Sequence, residues 1–221
     1  MISEILIDEP EVYRYLGYGR HQADEQVRQL VASCIIQMKA AAEPKHVSRV
    51  FPLSWEEDGR LNGGCFQTTS RRLSDHLAEC SEVLVFAATL GVGADQLIRR
   101  YSKLEMSRAV VLQAVGTAMI EGYCDWLNDQ WRQEYEKKGQ YLRTRFSPGY
   151  GDFELENQKT IVAALETGKR IGVTLTDSLL MVPAKSVTAV MGIGSKPEPE
   201  IKKGCEACNQ NNCPYGKSRG K

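Results

Sequence analysis

The chain has 221 residues, of which 42% are apolar, and 28 Lys plus Arg balance 28 Asp plus Glu. This is enough apolar matter for one real core, and the even charge gives no general attraction to nucleic acid or to an anionic membrane. No apolar run reaches the roughly 18 residues of a membrane span, and the start MISEILIDEP lacks the basic-then-apolar order of a signal peptide, so a cytoplasmic protein is expected. In that compartment the seven cysteines read as core residues or metal ligands and not as a disulfide framework.

Residues 8–16 predict a short helix with Asp8 as its cap and Pro10 in the first turn. Val27, Leu30, Val31, Cys34, Ile35 and Met38 recur at helical steps until Pro44 ends the pattern. SRVFPLSW and EVLVFAATLG read as strands, the second apolar enough to be buried, with a helix carrying Leu73 and Leu77 between them. After Gly91 and Gly93 another helix begins. From Met106 to about Tyr135 the chain has no proline and reads as one long helix, with Val111, Val115, Met119, Tyr123, Leu127, Trp131 and Tyr135 forming a four-residue ladder toward a core. Ala114, Ala118, Glu121 and Cys124 share another face of it, where a single carboxylate stands among small residues. Glu121 is therefore either a solvent-facing helix residue or an acid facing a ligand.

The stretch YLRTRFSPGYGD, 141–152, places two arginines, a Ser-Pro-Gly turn, a tyrosine and an aspartate together. Arg145 offers a planar fork to a carboxylate or phosphate, and Gly149 and Gly151 allow a ligand close to the backbone. Leu155, Val162 and Leu165, ahead of Gly168, predict a following helix with Asp152 as its cap. Taken alone, the stretch is better read as an ordinary Pro148-Gly149 turn carrying a surface arginine than as a ligand site. Beyond it come a strand VTLT, a loop through Met181-Val182-Pro183 and a strand SVTAVMGIG. Strands and helices in this irregular order predict an α+β fold, with an antiparallel or mixed sheet flanked by helices over residues 1–194.

Residues 195–221 read as a proline-bearing linker and a basic tail, in which KGCEACNQNNCPYGK supplies Cys205, Cys208 and Cys213. Three thiols at this spacing can grip zinc or an iron–sulfur cluster, with a fourth ligand from elsewhere, such as Cys65, or from a partner or solvent. A redox dithiol and cysteines without a function are the other readings of the same residues.

Two of these segments carry a resemblance. Arg145-Phe146-Ser147-Pro148-Gly149-Tyr150 is similar to the Arg-Pro-Ala-x-Gly-Tyr segment of the activation (reactivation) domain of cobalamin-dependent methionine synthase. Leu175-Thr176-Asp177-Ser178-Leu179-Leu180-Met181-Val182-Pro183 is similar to that family's Leu-Thr-Glu-Ser-x-x-Met-x-Pro segment, and IEGYCDWL around Glu121 resembles its acidic helix. The likeness covers most of residues 80–192. It departs at Ser147, where the family has alanine, at VMGIG, where the family has an aromatic and histidine-containing segment, and near its start, where the family's aspartate has no match and Asp8 is not carried over. The family's cobalamin-ligating Asp-x-His-x-x-Gly motif and its catalytic barrels have no counterpart in the sequence.

The resemblance implies a bent antiparallel sheet with flanking helices and a site for S-adenosylmethionine. In it Arg145 would hold the ligand carboxylate, Ser147, Gly149 and Tyr150 would orient the remainder, and Glu121 would face the cationic amino or sulfonium group. It implies a reactivation partner, not catalytic alone, for a methionine synthase that lacks its own activation domain. That partner would supply the cobalamin, and flavodoxin or ferredoxin would supply an electron. The alternatives are a metal- or iron–sulfur-binding electron-transfer adaptor and an activator of another corrinoid methyltransferase.

Overall fold

The computed structural model describes residues 2–18 and 21–197. A 3-10 turn at Ile2–Glu4 leads to α1 (Glu9–Tyr15) and α2 (Glu25–Ala41), then to the strand β1 (Lys45–Pro52). A small meander follows, made of β2 (Ser54–Trp55), β3 (Leu61–Asn62) and β4 (Gln67–Thr68), and then the short helix α3 (Arg71–His76). The centre of the chain holds β5 (Cys80–Thr89), α4 (Val92–Leu104), α5 (Met106–Glu136) and β6 (Tyr141–Leu142). It closes with α6 (Asn157–Ala164), α7 (Thr167–Ile171), the hairpin β7 (Thr174–Leu175) and β8 (Met181–Val182), and β9 (Ser186–Gly194).

The main sheet has the order β1-β5-β9-β6, and every pairing in it is antiparallel. Its central strand explains its own sequence. Leu84, Phe86 and Ala88 point into one core, and Val83, Val85 and Ala87 point into the other. A strand apolar on both sides needs cover on both faces. Helices α1, α2, α4 and α5 pack on the first face; α3, α6, α7 and the meander pack on the second. The ladder of α5 lies as the spacing predicts, with Val115, Met119 and Tyr123 fully buried and Trp131 and Tyr135 packed at the edge of the core. The predicted α+β class with an antiparallel sheet and flanking helices is the observed architecture.

Four local expectations are corrected. SRVFPLSW is not one strand: the chain turns at Leu53, whose N–H donates to the Ser81 carbonyl at 3.0 Å, and Ser54–Trp55 joins the meander. Met181-Val182 is a strand and not a loop, paired with Thr174-Leu175. The helix after Leu155 breaks at Glu166, which adopts a left-handed conformation (φ 50°), so α6 and α7 are separate. Asp152 does not cap α6. Its carboxylate accepts from Ser70 Oγ at 2.5 Å and from the N–H groups of Arg71 and Arg72 at 3.0 and 3.4 Å, so it caps α3 instead.

Candidate functional site

Gly122 on α5 shapes the site. A Cβ at this position would lie 2.0 Å from the carbonyl oxygen of Leu6, closer than any side chain tolerates. The missing side chain lets the N-terminal segment cross directly over α5, with Ile5 and Ile7 buried in the first core. The crossing brings Glu4, Asp8 and Glu11 to the face of α5 that carries Glu121, Asp125 and Asp129. Between them runs a cleft of about 540 Å³, walled also by Tyr15, Trp126 and Arg145.

Asp8 thus serves this wall and does not serve as a helix cap, since its side chain makes no capping hydrogen bond to α1. That corrects the reading of Asp8 from the sequence, where Pro10 and the helical pattern favoured a cap. Nothing local to residues 4–11 signals that they face a helix more than a hundred residues away.

Arg145 reaches the cleft from the segment after β6, and its flanking residue Phe146 is fixed to the sheet by an antiparallel bridge to Val190. Its Nη2 donates to Glu121 at 2.7 Å and its Nη1 to Asp125 at 2.5 Å. The Asn128 amide, oriented to satisfy both its groups, accepts from Nη1 at 2.8 Å and donates to the Cys124 carbonyl at 3.1 Å. Residues 121, 125 and 128 lie one turn apart along α5, so one helical stripe grips one edge of the guanidinium. Burial opposes the charge on Arg145, but the hydrogen bonds to Asp125 and Glu121 outweigh it, and the guanidinium is held charged. A guanidinium has five N–H donors. Three are used here, which leaves Nε–H and the second hydrogen on Nη2 with no acceptor among the described residues. Those two form a fork suited to one carboxylate.

The structure brings Glu121 and Arg145 together, and it adds Asp125, which the sequence reading did not single out. Its four-residue spacing from Glu121 on a predicted helix was the available signal. Ser147, Gly149 and Tyr150 lie further along the same loop and are not among the residues lining this cleft. Gly149 holds a positive φ of 85° and donates its N–H to the Phe153 carbonyl at 2.8 Å, which closes the turn. The Tyr150 ring is exposed and rests edge-on against Phe146, with centroids 5.3 Å apart.

Cys205, Cys208 and Cys213 lie outside the described residues. Among the described residues, no group of three His, Cys, Asp or Glu side chains is arranged to hold a metal ion. Burial pushes the Cys124 thiol up to about 12 and the Cys65 thiol up to about 11. Neither is a ready thiolate at neutral pH. No helix among the described residues is long and apolar enough to cross a membrane.

The chain is an antiparallel α+β domain with an acidic cleft and an arginine gripped along one edge. The particular family follows from comparison. Residues 66–201 match the family described as vitamin B12 dependent methionine synthase, activation domain, and the chain belongs to that family. The fold is similar to that of a solved structure, the crystal structure of the MetH reactivation domain bound to AdoHcy, with a TM-score of 0.62 at 17% sequence identity. That likeness covers 91% of this chain and 77% of the other.

Proposed function

We propose that this chain binds S-adenosylmethionine in the acidic cleft and supports reductive methylation of cobalamin on a separate methionine synthase that lacks its own activation domain. The observation that carries the reading is Arg145, gripped on one edge by Glu121 and Asp125 while its other edge is open to one carboxylate. The ligand has matching chemistry: a carboxylate, an ammonium, a sulfonium and a purine. The carboxylate takes the open edge of Arg145. The two cationic groups lie among Glu121, Asp8 and their acidic neighbours, and the aromatic faces of Tyr15 and Trp126 offer the purine an apolar contact. Ser147, Gly149 and Tyr150 belong to this reading as the loop that borders the ligand.

The chemistry asks little of the chain beyond placement. One electron from a donor such as flavodoxin or ferredoxin takes the partner's cobalt(II) to cobalt(I), whose electron pair accepts the methyl group while the C–S bonding pair stays on sulfur as S-adenosylhomocysteine. No proton moves, so no general base is needed, and the contribution of the chain is proximity and orientation. The test is a calorimetric titration with S-adenosylmethionine, followed by reconstitution with a truncated methionine synthase and a reductant. Saturable binding and recovery of methylcobalamin are expected. No heat of binding would overturn the ligand, and binding without recovery would point to another corrinoid methyltransferase.

Zinc or iron–sulfur binding at Cys205, Cys208 and Cys213 is part of the same proposal, as a docking or electron-delivery element. The buried Arg143 donates to the Lys196 carbonyl at 3.1 Å, so the linker is anchored through Lys196 and the informative cut falls after Pro197. Removing residues 198–221 is expected to leave S-adenosylmethionine affinity and melting unchanged and to remove all bound metal. Elemental analysis of anaerobically purified protein checks this, and equal metal in both forms would refute the tail site.

A further inference from the structure

We infer that His76 is a positioning residue for Arg145, and that α3 holds the 144–152 loop by both of its ends; the ligand-binding half of this inference rests on the reading of the cleft as an S-adenosylmethionine site. His76 Nε2 lies 2.7 Å from the Thr144 carbonyl oxygen. A carbonyl can only accept, so Nε2 carries the hydrogen and donates. The same imidazole packs against the Phe146 ring, with centroids 5.6 Å apart and planes at 42°. The residues immediately before and after Arg145 are therefore both held by one side chain at the C-terminal end of α3.

The other end of the loop returns to the start of that helix. Asp152 accepts from Ser70 Oγ and from the Arg71 and Arg72 N–H groups, and Ser70 Oγ in turn accepts from the Leu73 N–H at 3.0 Å. Gly151 packs on Arg72 so closely that a Cβ there would lie 2.9 Å from Arg72 Cδ. Thr68 Oγ1 donates to Glu154 at 2.5 Å just beyond. Between these anchors the loop passes through two positive-φ glycines, Gly149 and Gly151, which add backbone freedom that the anchors must restrain. Six residues of helix thus splint a loop of nine. The consequence falls on Arg145: a long side chain can leave one edge open to a ligand only if its own backbone is fixed while α5 grips the other edge.

The test combines two measurements on the full chain. Hydrogen exchange of the unliganded protein is followed across 145–151 in wild type, His76→Ala, His76→Gln and Asp152→Ala. Glutamine places an amide N–H near the position of Nε2, so it is expected to keep the loop protected, while both alanine variants speed its exchange. S-adenosylmethionine titration is expected to show binding weakened about tenfold in His76→Ala, recovered to within about threefold in His76→Gln, and no weaker in His76→Ala/Arg145→Ala than in Arg145→Ala alone. Unchanged loop exchange in His76→Ala overturns the splint. A double variant weaker than Arg145→Ala by the full effect of His76→Ala overturns the coupling to Arg145. If the wild type itself does not titrate, the ligand reading falls and the exchange data still decide the splint.

Discussion

Arg145→Ala is expected to weaken S-adenosylmethionine binding by about 2–4 kcal/mol, the loss when a sequestered carboxylate forfeits its charged partner. The same substitution is expected to leave the fold nearly untouched. Its two acidic partners are substantially solvated, with the Glu121 side chain 44% exposed and that of Asp125 66% exposed, and ion pairs in that setting contribute about 0–1 kcal/mol. The two effects separate cleanly: calorimetry reads a large loss of affinity, and thermal melting reads a small shift. Arg145→Lys should recover only part of the affinity, because a point charge cannot hold Glu121, Asp125 and a ligand carboxylate at once. Wild-type affinity in the alanine variant would remove the carboxylate from Arg145 and with it the observation on which the proposed function stands.

Gly122→Ala is expected to lose both stability and affinity, although glycine to alanine within a helix is ordinarily favourable. The added methyl would meet the backbone of Leu6 at 2.0 Å, and a backbone atom cannot rotate away as a side-chain tip can. The N-terminal segment must lift, at a cost of about 1–3 kcal/mol of overpacking, and Glu4, Asp8 and Glu11 move with it. A drop of that size lowers the melting temperature of a domain this long by about 2–4 °C per kcal/mol. Gly168→Ala is the control, since its Cβ would make only an ordinary contact with Thr174 Cγ2 at 3.5 Å. Equal melting and equal affinity in the two variants would show that the N-terminal segment is no wall of the site.

Periodicity in the sequence was sufficient to reveal α2 and α5 and the doubly buried β5, because a stripe or a continuous apolar run follows directly from which faces are covered. It could not reveal where a polar group finds its partner. Asp152 sits five residues before a helix and looks like its cap, yet it caps α3, some eighty positions earlier. Asp8 fails in the same way, since both are decided by chain crossings that no local pattern records. The pairing of Glu121 with Arg145 was anticipated only as two members of one site, through the resemblance. Their direct contact, and the third partner Asp125, needed the packing of the post-β6 segment against α5.

The cleft is assembled from residues 4–15, 118–129 and 145, and no single segment contains enough of it to bind anything. Its existence is therefore a property of the folded chain alone, and a ligand held there has no comparable site on the unfolded one. Mass action then couples occupancy to global unfolding: ligand at a hundredfold excess over Kd stabilises the native state by about 2.7 kcal/mol. For a domain of this size that is a rise of several degrees in melting temperature, shared by the sheet and both of its covering layers. A thermal-shift screen can thus rank candidate ligands on the isolated chain, with no cobalamin protein, electron donor or turnover assay in the tube.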